Sequence, residues 1–122
     1  MQQDNQYLID ILHAAQRIEE YIADITLADF YEDVQLQDKV IRRLLSISKN
    51  AKRVSTETRQ EAGAIAWHTI SQIKERLLEN DPIDDIDQHW NMSKNEVPKL
   101  VRTLDQQISA QSQSGLSFAG IS

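Results

Sequence analysis

Few side chains in this sequence could carry acid–base or metal chemistry. His13, His68 and His89 are the three groups that ordinarily titrate near neutrality. None stands in a His-x-x-x-His or Glu-x-x-His spacing, the arrangement a helical metal cage needs. His13 falls off the apolar seam of its segment and reads as a surface residue. His68 and His89 each neighbour a tryptophan, Trp67 and Trp90, and read as structural. Asp81, Asp84, Asp85 and Asp87 could surround a hard cation, but the segment lacks the glycine and bidentate glutamate of a calcium loop. Capping of a helix is the better account of that cluster. Cysteine is absent, which excludes disulfides, thiolate metal ligands and cysteine nucleophiles. There is no glycine-rich phosphate loop and no nucleophile elbow. Taken alone, the residues favour a binding module over an enzyme, with no metal and no cofactor.

Charge is distributed unevenly. The net charge of −6 argues against a protein that coats nucleic acid over its whole surface. Residues 1–38 hold nine carboxylates against Arg17 alone, whereas residues 39–59 hold seven cations against Glu57 alone. One reading is intramolecular, with a basic helix packed beside an acidic one through surface pairs that each contribute little. The other is a basic stripe of Arg42, Arg43, Lys49, Lys52 and Arg53, flanked by Lys39 and Arg59, that meets RNA phosphate or an acidic partner.

The elements that must position these groups are helical. Ile11, Ala15, Ile18, Ile22 and Ile25 recur at steps of four and three, one seam on a helix expected to begin near Asp4 or Asn5. A short turn carrying Leu27 and Phe30 leads into a second long helix with Val40, Leu44, Ile47, Ala51 and Val54 inward. Residues 57–63 form a connection of mixed helical character. A third helix, entered through Trp67 with Ile70, Ile73 and Leu77, is expected to end near Asn80, because Pro82 disfavours a helical Asp81. A fourth is expected to start at Asp84 or Asp85 and to carry Ile86, Trp90, Val97, Val101, Leu104 and Ile108 inward. Pro98 should kink or break it near Asn95. Three glycines and two prolines are too few for the turns of a sandwich or barrel. The 122 residues suit one domain, residues 1–109, followed by a mobile tail, residues 110–122. No apolar run is long enough to span a bilayer, and the start lacks the basic flank of a signal peptide, so a cytoplasmic protein is expected.

In order, these blocks resemble the HepT-like proteins of the HEPN superfamily. The resemblance runs from about Tyr7 to Leu104. It is carried by Tyr7-Leu8-x-Asp10-Ile11-Leu12, Ala15-x-Arg17-Ile18-x-Glu20-Tyr21, Phe30-x-x-Asp33 and Leu36-Gln37-Asp38-x-Val40-Ile41-Arg42. Ala51-Lys52-Arg53-Val54-Ser55, Trp67-x-x-Ile70, Trp90 and Val97-Pro98-x-Leu100 complete it. The resemblance implies an all-α, compact four- to five-helix HEPN-type up-and-down bundle, usually a homodimer. It also implies a metal-independent ribonuclease toxin, paired with a minimal nucleotidyltransferase antitoxin that adenylylates a tyrosine.

The resemblance fails at the signature that would cut RNA. Such proteins carry Arg-Asn, three further residues, a His, and a Tyr two positions later. Here those places hold Lys74, Glu75, Glu79 and Asp81. Cleavage without a metal needs a base for the ribose 2′-hydroxyl and an acid for the leaving oxygen, which an imidazole supplies near pH 7. A carboxylate at Glu79 would repel the phosphate instead, and Lys74 lacks the two-pronged donor of a guanidinium. Asp81 has no phenol to modify. Lys74 and Glu79 also stand about 140° apart around a helix, too far for a direct bridge. The expected function is therefore a HepT-like component of a toxin–antitoxin pair whose site is degenerate, with an active RNA endonuclease of altered site as the alternative. A third reading, a nucleotide-sensing module, would bind ATP or GTP near Lys74.

Overall fold

The computed structural model describes the backbone of residues 2–79 and 82–121, and the side-chain surroundings of residues 4–77 and 86–110. Its elements are α1 (Gln2–Ile22), α2 (Leu27–Glu32), α3 (Val34–Arg53), α4 (Thr56–Glu61), α5 (Trp67–Ser71), α6 (Ile73–Glu79), α7 (Pro82–Asn91), a π-helical stretch (Met92–Glu96) and α8 (Val97–Ile121). Among the described residues there is no strand. No helix among them is long and apolar enough to cross a membrane.

Two seams close against each other to make the core. Ile11, Ala15 and Ile18 of α1 and Val40, Leu44, Ile47 and Ala51 of α3 are fully buried. Arg53 lies over the Tyr7 ring and Lys39 over the Tyr21 ring. Fourteen residues forward on α1 thus match fourteen backward on α3, so the pair is antiparallel. α8 begins at the far end of α1, where Lys94 Nζ reaches the Ile22 carbonyl at 3.4 Å, and packs along α1 with Leu104 fully buried. On the opposite flank of α3 the register is different. Ser48 Oγ donates to the Ser71 carbonyl and Lys52 Nζ to Glu75, both 23 residues apart, so α3 and the α5–α6 limb run parallel.

The corner between α2 and α3 is set by local polar groups. Thr26 Oγ1 accepts from the Asp29 N–H and the Asp29 carboxylate accepts from the Thr26 N–H, a reciprocal box that opens α2. Asp33 caps α3 by accepting from the Leu36 N–H at 3.0 Å. The corner drives Phe30 fully into the core against Trp90, ring centroids 5.4 Å apart, and the Tyr31 hydroxyl donates to Asp87 on α7.

Several sequence-based expectations need correction. The third helix is two, because Ser48 takes the Ser71 carbonyl and the Gln72 N–H turns back to Thr69, so the chain steps out of helix at Gln72. The fourth begins at Pro82 rather than Asp84 or Asp85, using proline at the first helical position, where its missing N–H is not needed. The side chains of Asp84 and Asp85 lie outside the described residues. The break expected near Asn95 takes the form of the π-helical stretch. There the Val97 N–H donates to Met92, five residues back, and the wider turn accommodates the Pro98 ring, which would crowd the Lys94 carbonyl in an α-helix.

α1 starts at Gln2, earlier than its seam suggests, and Asp4 does not cap it. Asp4 is buried and accepts from Ser55 Oγ at 2.5 Å, the Ser55 N–H at 3.2 Å and Thr58 Oγ1 at 2.7 Å, which clips α1 to the start of α4. The Ser55 hydroxyl, then that of Thr58, hold the carboxyl below its usual range against the opposing effect of burial. A group with a depressed folded pKa stabilises the fold above its ordinary value of 3.8, and loses that contribution as pH falls through the lowered value. Asp4→Asn should therefore lower stability by about 1–3 kcal/mol at pH 7. The gap between the urea midpoints of wild type and variant should be steady near neutral pH and narrow as pH falls below 3.8 through the lowered value; a gap that does not narrow on acidification contradicts this account.

Candidate functional site

Of the positions singled out on α6, Glu75 meets the parallel flank of α3. Lys74 and Glu75 are both exposed. Lys52 of α3 donates to the Glu75 carboxylate at 2.5 Å. That hydrogen bond, then one from the Glu75 backbone N–H, holds the Glu75 carboxyl below its ordinary value, and the charges of Lys52 and Lys74 act in the same direction. Glu75 is thus an anion throughout the neutral range, and Lys52 spends its positive charge on it. Both groups are about half exposed, so the pair positions charge more than it stabilises the fold. Position 79 closes α6 one turn beyond position 75, on the same helix face. The side chain of Glu79, and Asp81 entirely, lie outside the described residues.

The histidines are placed apart from one another in the fold. His13 is exposed on α1, His68 is exposed on α5 and His89 is buried on α7. Of the acidic cluster, Asp87 accepts from Tyr31, while the side chains of its other members are outside the described residues. Among the described residues no three histidine or carboxylate side chains gather to hold a metal ion.

The basic run divides by helix face. Lys52 points to α6. Arg59 is drawn inward, donating to the Ala51 carbonyl at 2.7 Å and lying 5.7 Å from the centre of the Trp67 ring. Arg53 and Lys39 rest over tyrosine rings of α1 at 6.0 and 5.9 Å. Arg42, Arg43 and Lys49 make no ion pair with any described residue. Residue spacing alone missed that Lys39 belongs with Arg42, Lys49 and Arg53. The signal was present, since steps of three, seven and four keep all four on one side of a helix. The same steps set Lys52 about 100° from Arg53, outside that group, but nothing local could have revealed that Glu75 is its partner.

Comparison with known proteins gives a consistent assignment. Residues 11–106 match the family described as Ribonuclease HepT-like. A protein of Methanocaldococcus jannaschii named "Gamma-glutamylcyclotransferase and putative RNase" is 34% identical over 94 residues, 77% of this chain and 42% of that protein. The chain therefore spans less than half the length of that relative. A protein of Thermococcus cleftensis named "Probable ribonuclease HepT" is 29% identical over 94 residues, 77% of this chain and 86% of that protein. A further M. jannaschii protein, named "Putative RNase", is 23% identical over 99 residues, 81% of this chain and 91% of its own length. No solved structure matches.

Proposed function

Because the chain belongs to the HepT-like ribonuclease family, we propose that it keeps that family's helical frame without its RNA-cutting chemistry and acts by binding. The observation that carries this reading is the Lys52–Glu75 pair. Where such proteins have a neutral Asn beside an Arg, this chain has a carboxylate kept ionised by a lysine from the neighbouring helix. On this reading the pair sets negative charge beside Lys74, which stands at the Arg position, and neutralises Lys52, a neighbouring cation that could have met a phosphate. Glu79 at the histidine position and Asp81 at the tyrosine position extend the same reversal of charge. Lys74 alone supplies a positive charge without a proton donor or acceptor suited to pH 7.

On this reading the protein is the toxin-family half of a toxin–antitoxin pair that has lost its nuclease activity. It forms a homodimer in the cytoplasm and is held by a minimal nucleotidyltransferase. Asp81 offers that partner no phenol, so the association rests on packing and not on adenylylation. Incubation of the purified protein with transfer RNA at pH 7 should leave the RNA intact on a denaturing gel. Cleavage that disappears in both Lys74→Ala and Glu79→Ala would overturn the reading in favour of an active endonuclease with an altered site. Stable co-purification with the nucleotidyltransferase, without a mass increase on this chain, is the expected outcome for the partner.

A further inference from the structure

The outer face of α3 carries a line of cations that no described carboxylate meets at ion-pair distance. Lys39, Arg42, Lys49 and Arg53 fall within an arc of about 80° on an α-helix, with the half-buried Arg43 at its edge. The buried seam of Val40, Leu44, Ile47 and Ala51 faces the other way. From Lys39 to Arg53 the line is about 21 Å long at 1.5 Å per residue. The Tyr21 and Tyr7 rings support Lys39 and Arg53 and leave their charge unchanged. Arg42, Arg43 and Lys49 face no described carboxylate within ion-pair distance. On the adjoining face of α1, Asp10 is engaged by Gln6 and Arg17 by Glu20. Asp10 on α1 and the exposed Asp38, one turn before Arg42 on α3 itself, border this face, and neither lies within ion-pair distance of its described cations.

The chemistry of this face fits a polyanion better than a folded partner. Protein interfaces centre on apolar and aromatic side chains. The exposed large apolar residues among those described, Leu27, Tyr31 and Val34, lie instead at the α2–α3 corner. A straight line of unpaired Lys and Arg suits a row of phosphates, which attracts by charge and by counterion release with no need of an apolar centre.

We propose that the outer face of α3 binds the phosphodiester backbone of single-stranded RNA through Lys39, Arg42, Arg43, Lys49 and Arg53, separately from the α6 signature. Only the choice of RNA over DNA rests on the family reading; the grip on phosphate does not. Four or five phosphate contacts on a single strand give a slope of log K against log salt of about −3, so doubling the salt weakens binding about eightfold.

Fluorescence anisotropy of a labelled 20-nucleotide oligouridine against the full chain tests this. Arg42→Glu with Lys49→Glu should weaken binding at least tenfold and flatten the slope by about 1.4. Lys99→Glu with Arg102→Glu, the same change of net charge at two exposed positions on α8, should leave it unaltered. Unchanged urea midpoints establish that the variants fold, and the milder Arg42→Gln with Lys49→Gln should fall between the two. Absence of binding, or equal weakening by Lys99→Glu with Arg102→Glu, overturns the surface. Equal affinity for 20-residue polyglutamate overturns it in favour of an acidic protein. Equal affinity for oligothymidine retains the phosphate grip and overturns the choice of RNA. Integrity of the oligouridine on a gel reads the proposed loss of cleavage independently.

Discussion

A variant that combines Lys74→Arg, Glu75→Asn, Glu79→His and Asp81→Tyr should cut structured RNA at least a hundredfold faster than the wild-type chain. The magnitude follows from what the changes supply. An imidazole at position 79 provides a proton acceptor and donor that operate near pH 7, a contribution typically of about 10²–10⁴ in rate. The guanidinium at 74 offers two parallel donors to a phosphate in place of one point charge. Glu75→Asn acts twice, because it removes a carboxylate held in its anionic form and releases Lys52 from the pair that neutralises it.

These effects are coupled, so partial restorations should fall well short of the sum. Glu79→His alone leaves Glu75 ionised nearby, and Lys74→Arg alone leaves no acid or base. Single-turnover cleavage of an end-labelled RNA measures each step. The restored variant should show a rate that depends on pH around the ordinary histidine value of about 6.5. If it folds with an unchanged urea midpoint and still leaves the RNA whole, the four substitutions are not what separates this chain from a nuclease.

Phe30→Ala should cost about 3–5 kcal/mol, the range for deleting a fully buried aromatic ring. The ring is 0% exposed, it packs against Trp90 at a tilt of 44°, and it is the fully buried side chain of a six-residue helix. Helices that short have no stability of their own in water, so α2 depends on this anchor to stay docked. Loss of the ring should also loosen the Tyr31–Asp87 contact that ties α2 to α7. Urea denaturation reads the change directly, and Leu27→Ala on the same helix, 37% exposed, should cost under about 0.5 kcal/mol. A cost below about 1 kcal/mol for Phe30→Ala would mean that α2 does not pack as described.

Much of the helical architecture was legible in the residues because the signals are local. Steps of three and four marked the buried faces of α1 and α3, and Pro98 marked the disturbance before α8. The division at Gln72 was not legible, since its cause is the hydroxyl of Ser48, 23 residues upstream of the Ser71 carbonyl it takes. Asp4 was misread as a helix start for the same reason, as its partners lie 51 and 54 residues away.

At the candidate site the division is similar. The identities of Lys74 and Glu75, and the excess of cations from Lys39 to Arg59, were set by the sequence on its own. Which cations remain unpaired was decided by the packing of α3. Its parallel flank delivers Lys52 to Glu75, its junction with α4 turns Arg59 toward Trp67, and its outer face keeps Lys39, Arg42, Lys49 and Arg53 in line. Helical periodicity is a property of neighbouring residues and can be counted along the chain. Charge compensation depends on distances of a few ångströms between residues far apart in sequence, and only the folded arrangement sets those distances.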